Sequence, residues 1–299
     1  MRFPCMLMHF FILSIAFSLL ARVLAMDTER CGGGEGYGVI CVARCPLCAF
    51  YRELGDKEAY FMSVEEVLEQ VGDAVKMGAT DIVGSLNPAM NIEYFENIFT
   101  QIRMRFPKVC IKALTATEIY FLSQIEGMSV REVLLRLKDA GLQALPGGGA
   151  EILEDRIREI ICPRKLKAGE WLRVMEIAHS IGLRSNATML FGNSRRIALH
   201  IFKALGLHFI FFHLENTEPG LHIRHKANPV DVLKTISRIV LRNFRSIRAY
   251  WVTLGTKLAQ VALNYGANGL DSTLMGERVT HAASAKTPNC KHIGTYQRS

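Results

Sequence analysis

Three of the chain's eight cysteines, Cys41, Cys45 and Cys48, fall within eight residues at the spacing C-x3-C-x2-C. Thiols held that close on one loop form a metal-ligand pattern. A structural zinc site takes four ligands, usually as two pairs some distance apart. No second pair is present, although Cys162 could complete a set of four. A 4Fe–4S cluster normally takes four cysteines, so three would leave one iron open to a ligand. The other five cysteines are scattered, whereas a secreted disulfide framework is normally shorter and denser in cysteine. The pattern therefore reads as metal binding in a reducing, cytoplasmic compartment.

Such a loop needs a frame. Val39 and Ile40 read as a short buried strand leading into the cysteines. Before it lies a flexible glycine-rich junction at 31–38, which lacks the Gly-Lys-Ser/Thr ending of a phosphate loop. Ser63-Val-Glu-Glu66 and Ser129-Val-Arg-Glu132 are capping boxes, each opening a helix that a glycine ends, at Gly78 and Gly141. Apolar periodicity predicts further helices over 92–106, 171–181, 197–205, 230–243 and 256–263. Strands are predicted over 81–84, 109–114, 142–145, 184–190, 208–213 and 247–252. Short strands alternating with long helices mean parallel βα units. Repeated along the chain, they predict an α/β fold, a TIM-like (β/α) barrel that is whole or incomplete. In a barrel the chemistry sits at the C-terminal ends of the strands. The cysteine loop and the stretches 84–85, 115–118, 146–151 and 189–192 would share that rim.

The apolar lead at 1–30 carries Arg2, an apolar run from Cys5 to Leu20 and Val23-Leu24-Ala25, which resembles a signal-peptidase site. The run is short for a stable membrane span. The barrel domain is expected over 31–288, with a tail at 289–299. The net charge of +8 comes from scattered Lys and Arg. It suits an anionic small-molecule substrate, and no basic stripe with interleaved aromatics points to nucleic acid. With 49% hydrophobic and 21% charged residues the chain has material for a substantial core and is not a disordered segment.

With an aromatic two residues after its third cysteine, the loop resembles the radical S-adenosylmethionine superfamily. Thr115-Ala-Thr-Glu-Ile119, the run from Gly141 through Pro146-Gly-Gly-Gly-Ala-Glu-Ile152, Ala178-His179 and Ser185-Asn-Ala-Thr-Met-Leu-Phe-Gly192 are similar to its menaquinone futalosine-pathway branch. The likeness runs from about 38 to 288. Ile247-Arg-Ala-Tyr-Trp-Val252 and Gln260-Val-Ala-Leu-Asn-Tyr-Gly-Ala267, followed by Asp271-Ser-Thr273, resemble the aminodeoxyfutalosine synthases more than their sister cyclases, which usually have a small residue where Tyr250 stands.

The resemblance implies a 4Fe–4S cluster on Cys41, Cys45 and Cys48, with S-adenosylmethionine on its open iron and an electron donor such as flavodoxin or ferredoxin. In the synthase, the 5′-deoxyadenosyl radical adds to the anionic substrate 3-[(1-carboxyvinyl)oxy]benzoate. In the sister enzyme, cyclic dehypoxanthine futalosine synthase, it abstracts hydrogen. A degenerate relative that binds metal without turnover is the rival of another class.

Gly84 and Ser85 stand where such barrels present a backbone edge to the methionine amine. Glu118 and Glu151 follow strands and would meet ribose, amine or substrate, and Gly147, Gly148 and Gly149 would let backbone approach a ligand closely. Asn186 and Thr188 alternate on one strand, as do Arg248 and Tyr250, which would meet a substrate carboxylate. The bland reading of His179 is packing. The chain departs from the branch in reading Gly84-Ser-Leu-Asn-Pro88 for Gly-Gly-Leu-His-Pro, and Asn193-Ser194-Arg195 for His-Ile-Glu. The stretch from Arg196 to Glu215 is compressed.

Overall fold

The computed structural model describes residues 34–76, 81–191, 208–211, 247–250, 255–264, 267 and 269–271. The expected helices at 197–205 and 230–243, the altered stretch 193–195, the apolar lead and the tail lie outside the described residues.

Nine short strands, all paired in parallel, make two sheets among the described residues. The first runs in the order β1 (Gly34–Gly36), β2 (Asp81–Val83), β3 (Lys112–Ala113), β4 (Ala144–Leu145), β5 (Arg184–Ser185). The second runs β6 (Met189–Phe191), β7 (His208–Phe211), β8 (Arg248–Tyr250), β9 (Gly269–Asp271). Sheet order follows chain order, as expected for successive parallel βα units. Among the described residues the expected α/β fold is present as open parallel sheets flanked by helices, consistent with an incomplete TIM-like barrel.

Three expectations are corrected. The glycine run at 31–38 is not only a junction, because it contains β1. Ladder bonds come from the main chain and need no side chain, so a strand of Gly and Glu leaves no hydrophobic trace. The strand expected over 184–190 is two strands in two sheets, with Asn186, Ala187 and Thr188 between them. Residues 189–191, expected to follow a strand at the rim, are themselves β6.

The helices are α1 (Val64–Lys76), α2 (Ile92–Arg105), α3 (Ala116–Ile125), α4 (Val130–Ala140), α5 (Asp155–Ile161), α6 (Ala168–Ser180) and α7 (Thr256–Asn264). Both predicted capping boxes are made. Glu66 accepts from the Ser63 amide at 2.7 Å, and Glu132 from the Ser129 amide at 2.8 Å. Asn91 caps α2 through the Tyr94 amide. Helix α2 packs on α1 and α4, α3 on α4 and α6, and α4 on α6. They bury Phe95, Phe99 and Ile102 of α2, Ile119 and Leu122 of α3, Val133, Leu134 and Leu137 of α4, and Trp171, Val174 and Met175 of α6. This core fixes the helices beside the first sheet. In register Gly36 pairs with Val83, Ile82 with Ala113, and Leu145 with Ser185, so the chain leaves β1, β2, β3, β4 and β5 along one edge.

Candidate active site

The cysteine loop leaves that edge after β1 and is tied down by main-chain bonds. Val39 donates to Tyr60 and Cys41 to Arg52, while Val42 donates to Leu86 just beyond β2. The Cys48 amide closes a turn on the Cys45 carbonyl at 2.9 Å, and Arg44 turns the chain with φ 42°. The Arg52 guanidinium reaches back to the carbonyls of Ala49, Phe50 and Tyr51 while holding Glu58. The segment after the third cysteine is thereby folded over one side chain.

Cys41, Cys45 and Cys48 are free thiols. Burial pushes Cys45 up to about 12, against the pull of Lys165. Burial also raises Cys48, again opposed by Lys165. The charge of Cys41 is felt at Cys48 and that of Cys48 at Cys45, so the three share one neighbourhood. Among the described residues no group of three His, Cys, Asp or Glu side chains gathers as around a single ion. A cubane cluster presents its irons at separate corners, so its thiolates stand further apart than those around one ion. Three free thiols on one short loop beside a buried cation are a donor set that fits such a cluster, whose binding releases their protons.

Beside the thiols lies a buried ion pair. Lys165 Nζ donates to Glu151 Oε1 at 2.6 Å, with side chains only 18% and 15% exposed. Burial alone would raise the Glu151 carboxyl, but Lys165 holds it below its usual range. Burial works against the Lys165 charge as well, but Glu151 and Cys45 outweigh it and raise its pKa. The Lys165 charge thus acts on Cys45, Cys48, Cys162 and Glu151 alike. No sequence reading had singled it out, and spacing carries no signal for it.

Each glycine of the run has protein where a side chain would stand. A Cβ on Gly147 would lie 2.5 Å from Ala187 Cα, one on Gly148 2.9 Å from Thr115 Cγ2, and one on Gly149 2.3 Å from Thr117 Oγ1. Asn186 and Thr188 clasp one residue: Gly147 donates its amide to Asn186 Oδ1 at 2.5 Å, and Thr188 Oγ1 donates to the Gly147 carbonyl at 2.7 Å. This clasp sits where the strand expected over 184–190 divides.

Glu118 is engaged inside the fold. As the third helical residue of a capping box it accepts from the Thr115 amide at 2.7 Å, and it also accepts from the Tyr37 hydroxyl. Burial raises its carboxyl above the usual range even though both donors pull the other way. Burial, then Glu118, holds the Tyr37 phenol well above its ordinary value. A Cβ on Gly84 would meet the Tyr37 ring at 2.3 Å, so this glycine is fixed by the ring. Ser85 Oγ, Asn87 Nδ2 and Thr117 Oγ1 are buried without a partner at the strand-end edge. His179 Nε2 lies 2.7 Å from Ser185 Oγ, and burial lowers its pKa. Arg248 and Tyr250 lie two apart on β8, in the second sheet.

Residues 37–204 match the radical SAM superfamily, and residues 222–294 match the CofH/MqnC C-terminal region. The 5-amino-6-(D-ribitylamino)uracil–L-tyrosine 4-hydroxyphenyl transferase 2 of Methanosarcina barkeri is 35% identical, over 81% of this chain and 68% of its own. The cyclic dehypoxanthine futalosine synthase of Halalkalibacterium halodurans is 32% identical, over 84% and 72%. The aminodeoxyfutalosine synthase of Thermus thermophilus is 34% identical, over 90% and 80%. Among solved structures, methylornithine synthase (PylB) superposes with a TM-score of 0.62 at 17% identity, covering 90% of this chain and 79% of that one.

Proposed function

The chain belongs to the radical S-adenosylmethionine superfamily, related to its CofH/MqnC-type members, and on that footing we propose an enzyme of the cyclic dehypoxanthine futalosine synthase type, acting in menaquinone biosynthesis. The observation that supports this reading is the match of residues 222–294 to the CofH/MqnC C-terminal region, together with 32% identity to the cyclic dehypoxanthine futalosine synthase over 84% of this chain. On this reading Cys41, Cys45 and Cys48 hold a 4Fe–4S cluster. Glu151 and Lys165, with the backbone at Gly84, Ser85 and Gly148, hold S-adenosylmethionine. Bound together, the two supply reductive cleavage to methionine and a 5′-deoxyadenosyl radical.

The chain's own part is placement. Lys165 keeps positive charge beside the thiols, and its ion pair with Glu151 keeps that carboxylate ionised next to them. The glycines allow backbone approach, and the buried walls exclude water and stray hydrogen donors. Arg248 and Tyr250 of β8 are assigned to the substrate. A flavodoxin- or ferredoxin-type donor supplies the electron.

Aminodeoxyfutalosine synthase, the expectation from the sequence, stands as the second reading. It is favoured by the alignment to the Thermus thermophilus relative over 90% of this chain, and by Tyr250 standing where the sister cyclases usually have a small residue. Protein reconstituted anaerobically with iron and sulfide is given reductant, S-adenosylmethionine and one substrate. Dehypoxanthine futalosine is expected to yield a cyclised product of lower mass together with free 5′-deoxyadenosine. Conversion of 3-[(1-carboxyvinyl)oxy]benzoate into an adenosyl adduct would move the assignment to the second reading. Product from L-tyrosine and 5-amino-6-(D-ribitylamino)uracil instead would overturn both. Cys45→Ala is expected to abolish S-adenosylmethionine cleavage in every case.

A further inference from the structure

Arg158 on α5 is 3% exposed, and its hydrogen bonds go to main-chain carbonyls. Nε donates to Leu166 at 2.7 Å, Nη2 to Gly149 at 3.1 Å, and Nη1 to Ala150 and to Ile152, the latter at 3.1 Å. A buried cation without a bonded carboxylate is costly. It persists where a segment has carbonyls that no ladder satisfies, since buried main-chain groups need partners. Here that segment is the turn after β4. Thr188 takes the Gly147 carbonyl, Trp171 Nε1 takes Gly148 at 3.3 Å, and Arg158 takes the next two and Ile152. The residue between the Ala150 and Ile152 clamps is Glu151, a non-glycine in the left-handed region at φ 45°. Such a conformation is held only where its surroundings over-determine it. The rigid guanidinium fork spans carbonyls on both sides of it, and its third edge ties the turn to Leu166, next to Lys165. One side chain therefore sets both ends of the Glu151–Lys165 pair.

We infer that Arg158 is a positioning residue, whose fork fixes Glu151 and Lys165 for binding S-adenosylmethionine without touching it. This rests on the reading of Glu151 as a ligand-facing carboxylate. Lysine cannot substitute, because an ammonium offers its donors from one point rather than along a planar fork.

The test uses Arg158→Lys, Glu151→Gln and the double variant, each reconstituted and matched for iron. S-adenosylmethionine affinity is read by equilibrium binding and by the change it causes in the electron paramagnetic resonance signal of the reduced cluster. Arg158→Lys is expected to load iron normally and to bind S-adenosylmethionine at least tenfold more weakly. The double variant is expected to bind no worse than Glu151→Gln alone, because coupled residues are non-additive. Unchanged affinity in Arg158→Lys, or two losses that add, would overturn the inference while leaving Glu151 in its role. Unchanged affinity in Glu151→Gln would overturn the role of Glu151 and the inference with it. Should the lysine variant not fold, Arg158→Gln, which removes the buried charge along with the fork, is judged by the same outcomes.

Discussion

Glu118 shows how a residue named for chemistry can be held by structure. Its oxygens are taken by the Tyr37 hydroxyl and the Thr115 amide, and burial still raises its pKa. A carboxyl raised on folding contributes stability that is complete below its unfolded value, about 4.3, and that is lost as pH rises through the folded value. Glu118→Gln removes the ionisation while its carbonyl can still accept from Thr115. The variant's unfolding free energy relative to the parent is therefore expected to rise between pH 4.5 and 8, by no more than about 1.4 kcal/mol per pH unit. Urea unfolding at both pH values checks this, and a difference, variant minus parent, that stays constant or falls with pH sinks it. The capping box behind Glu118 went unread, although Thr115-x-x-Glu118 has its spacing. Tyr37, which lies 81 residues away along the chain, was not legible either. The cysteines were legible because chemistry fixes their spacing. Lys165 and Arg158 were invisible because main-chain carbonyls and a carboxylate 6 to 14 residues away leave no spacing motif.

Helices and strands were legible to a similar degree, and the misses, α3 and α5 among the helices and β1 and β9 among the strands, have physical reasons. A helix announces itself through caps and a long apolar stripe, as α1, α2 and α4 do. The strands of the first sheet are two or three residues long. β2, β3, β4 and β5 were still found through the apolar residues in and around them, whereas β1, made of Gly and Glu, has none and hid in a glycine run. Helix α5, seven residues long, was missed because it is too short to show a period. The division between β5 and β6 follows from the Asn186 and Thr188 clasp on Gly147, a contact across 39 and 41 residues. The legible boxes are also testable. Ser129→Ala removes the acceptor for the Glu132 amide and is expected to cost about 1 kcal/mol, read as a lower urea midpoint with an unchanged slope. Iron content per folded protein is expected to stay the same, because α4 lies away from the cysteine loop. A loss of cluster in this variant would show that the helix layer and the loop are coupled, contrary to this account.

Across the whole molecule, order is unevenly anchored. The helices beside the first sheet bury Phe99, Ile102, Ile119, Val133 and Leu137 almost completely. The segment from the cysteines to α1 leaves Leu54 85% and Phe61 50% exposed, and is held by scattered main-chain bonds, the Arg52 fork and surface ion pairs. Exposed ion pairs of this kind contribute little, so this segment belongs to the low-stability end of the fold. Ligation of Cys41, Cys45 and Cys48 would cross-link it at three points. Hydrogen exchange with and without reconstituted cluster therefore has a directional outcome. In the cluster-free protein the amides of Cys48, Asp56 and Ala59, each bonded only within the segment, are expected to exchange far faster than those of Ile119 and Val133. Reconstitution is expected to slow the Cys48 amide by at least tenfold and to leave the two core amides nearly unchanged. Uniform protection across both regions would mean that the cluster stabilises the fold globally. No protection at Cys48 would mean that the loop is not where the iron binds.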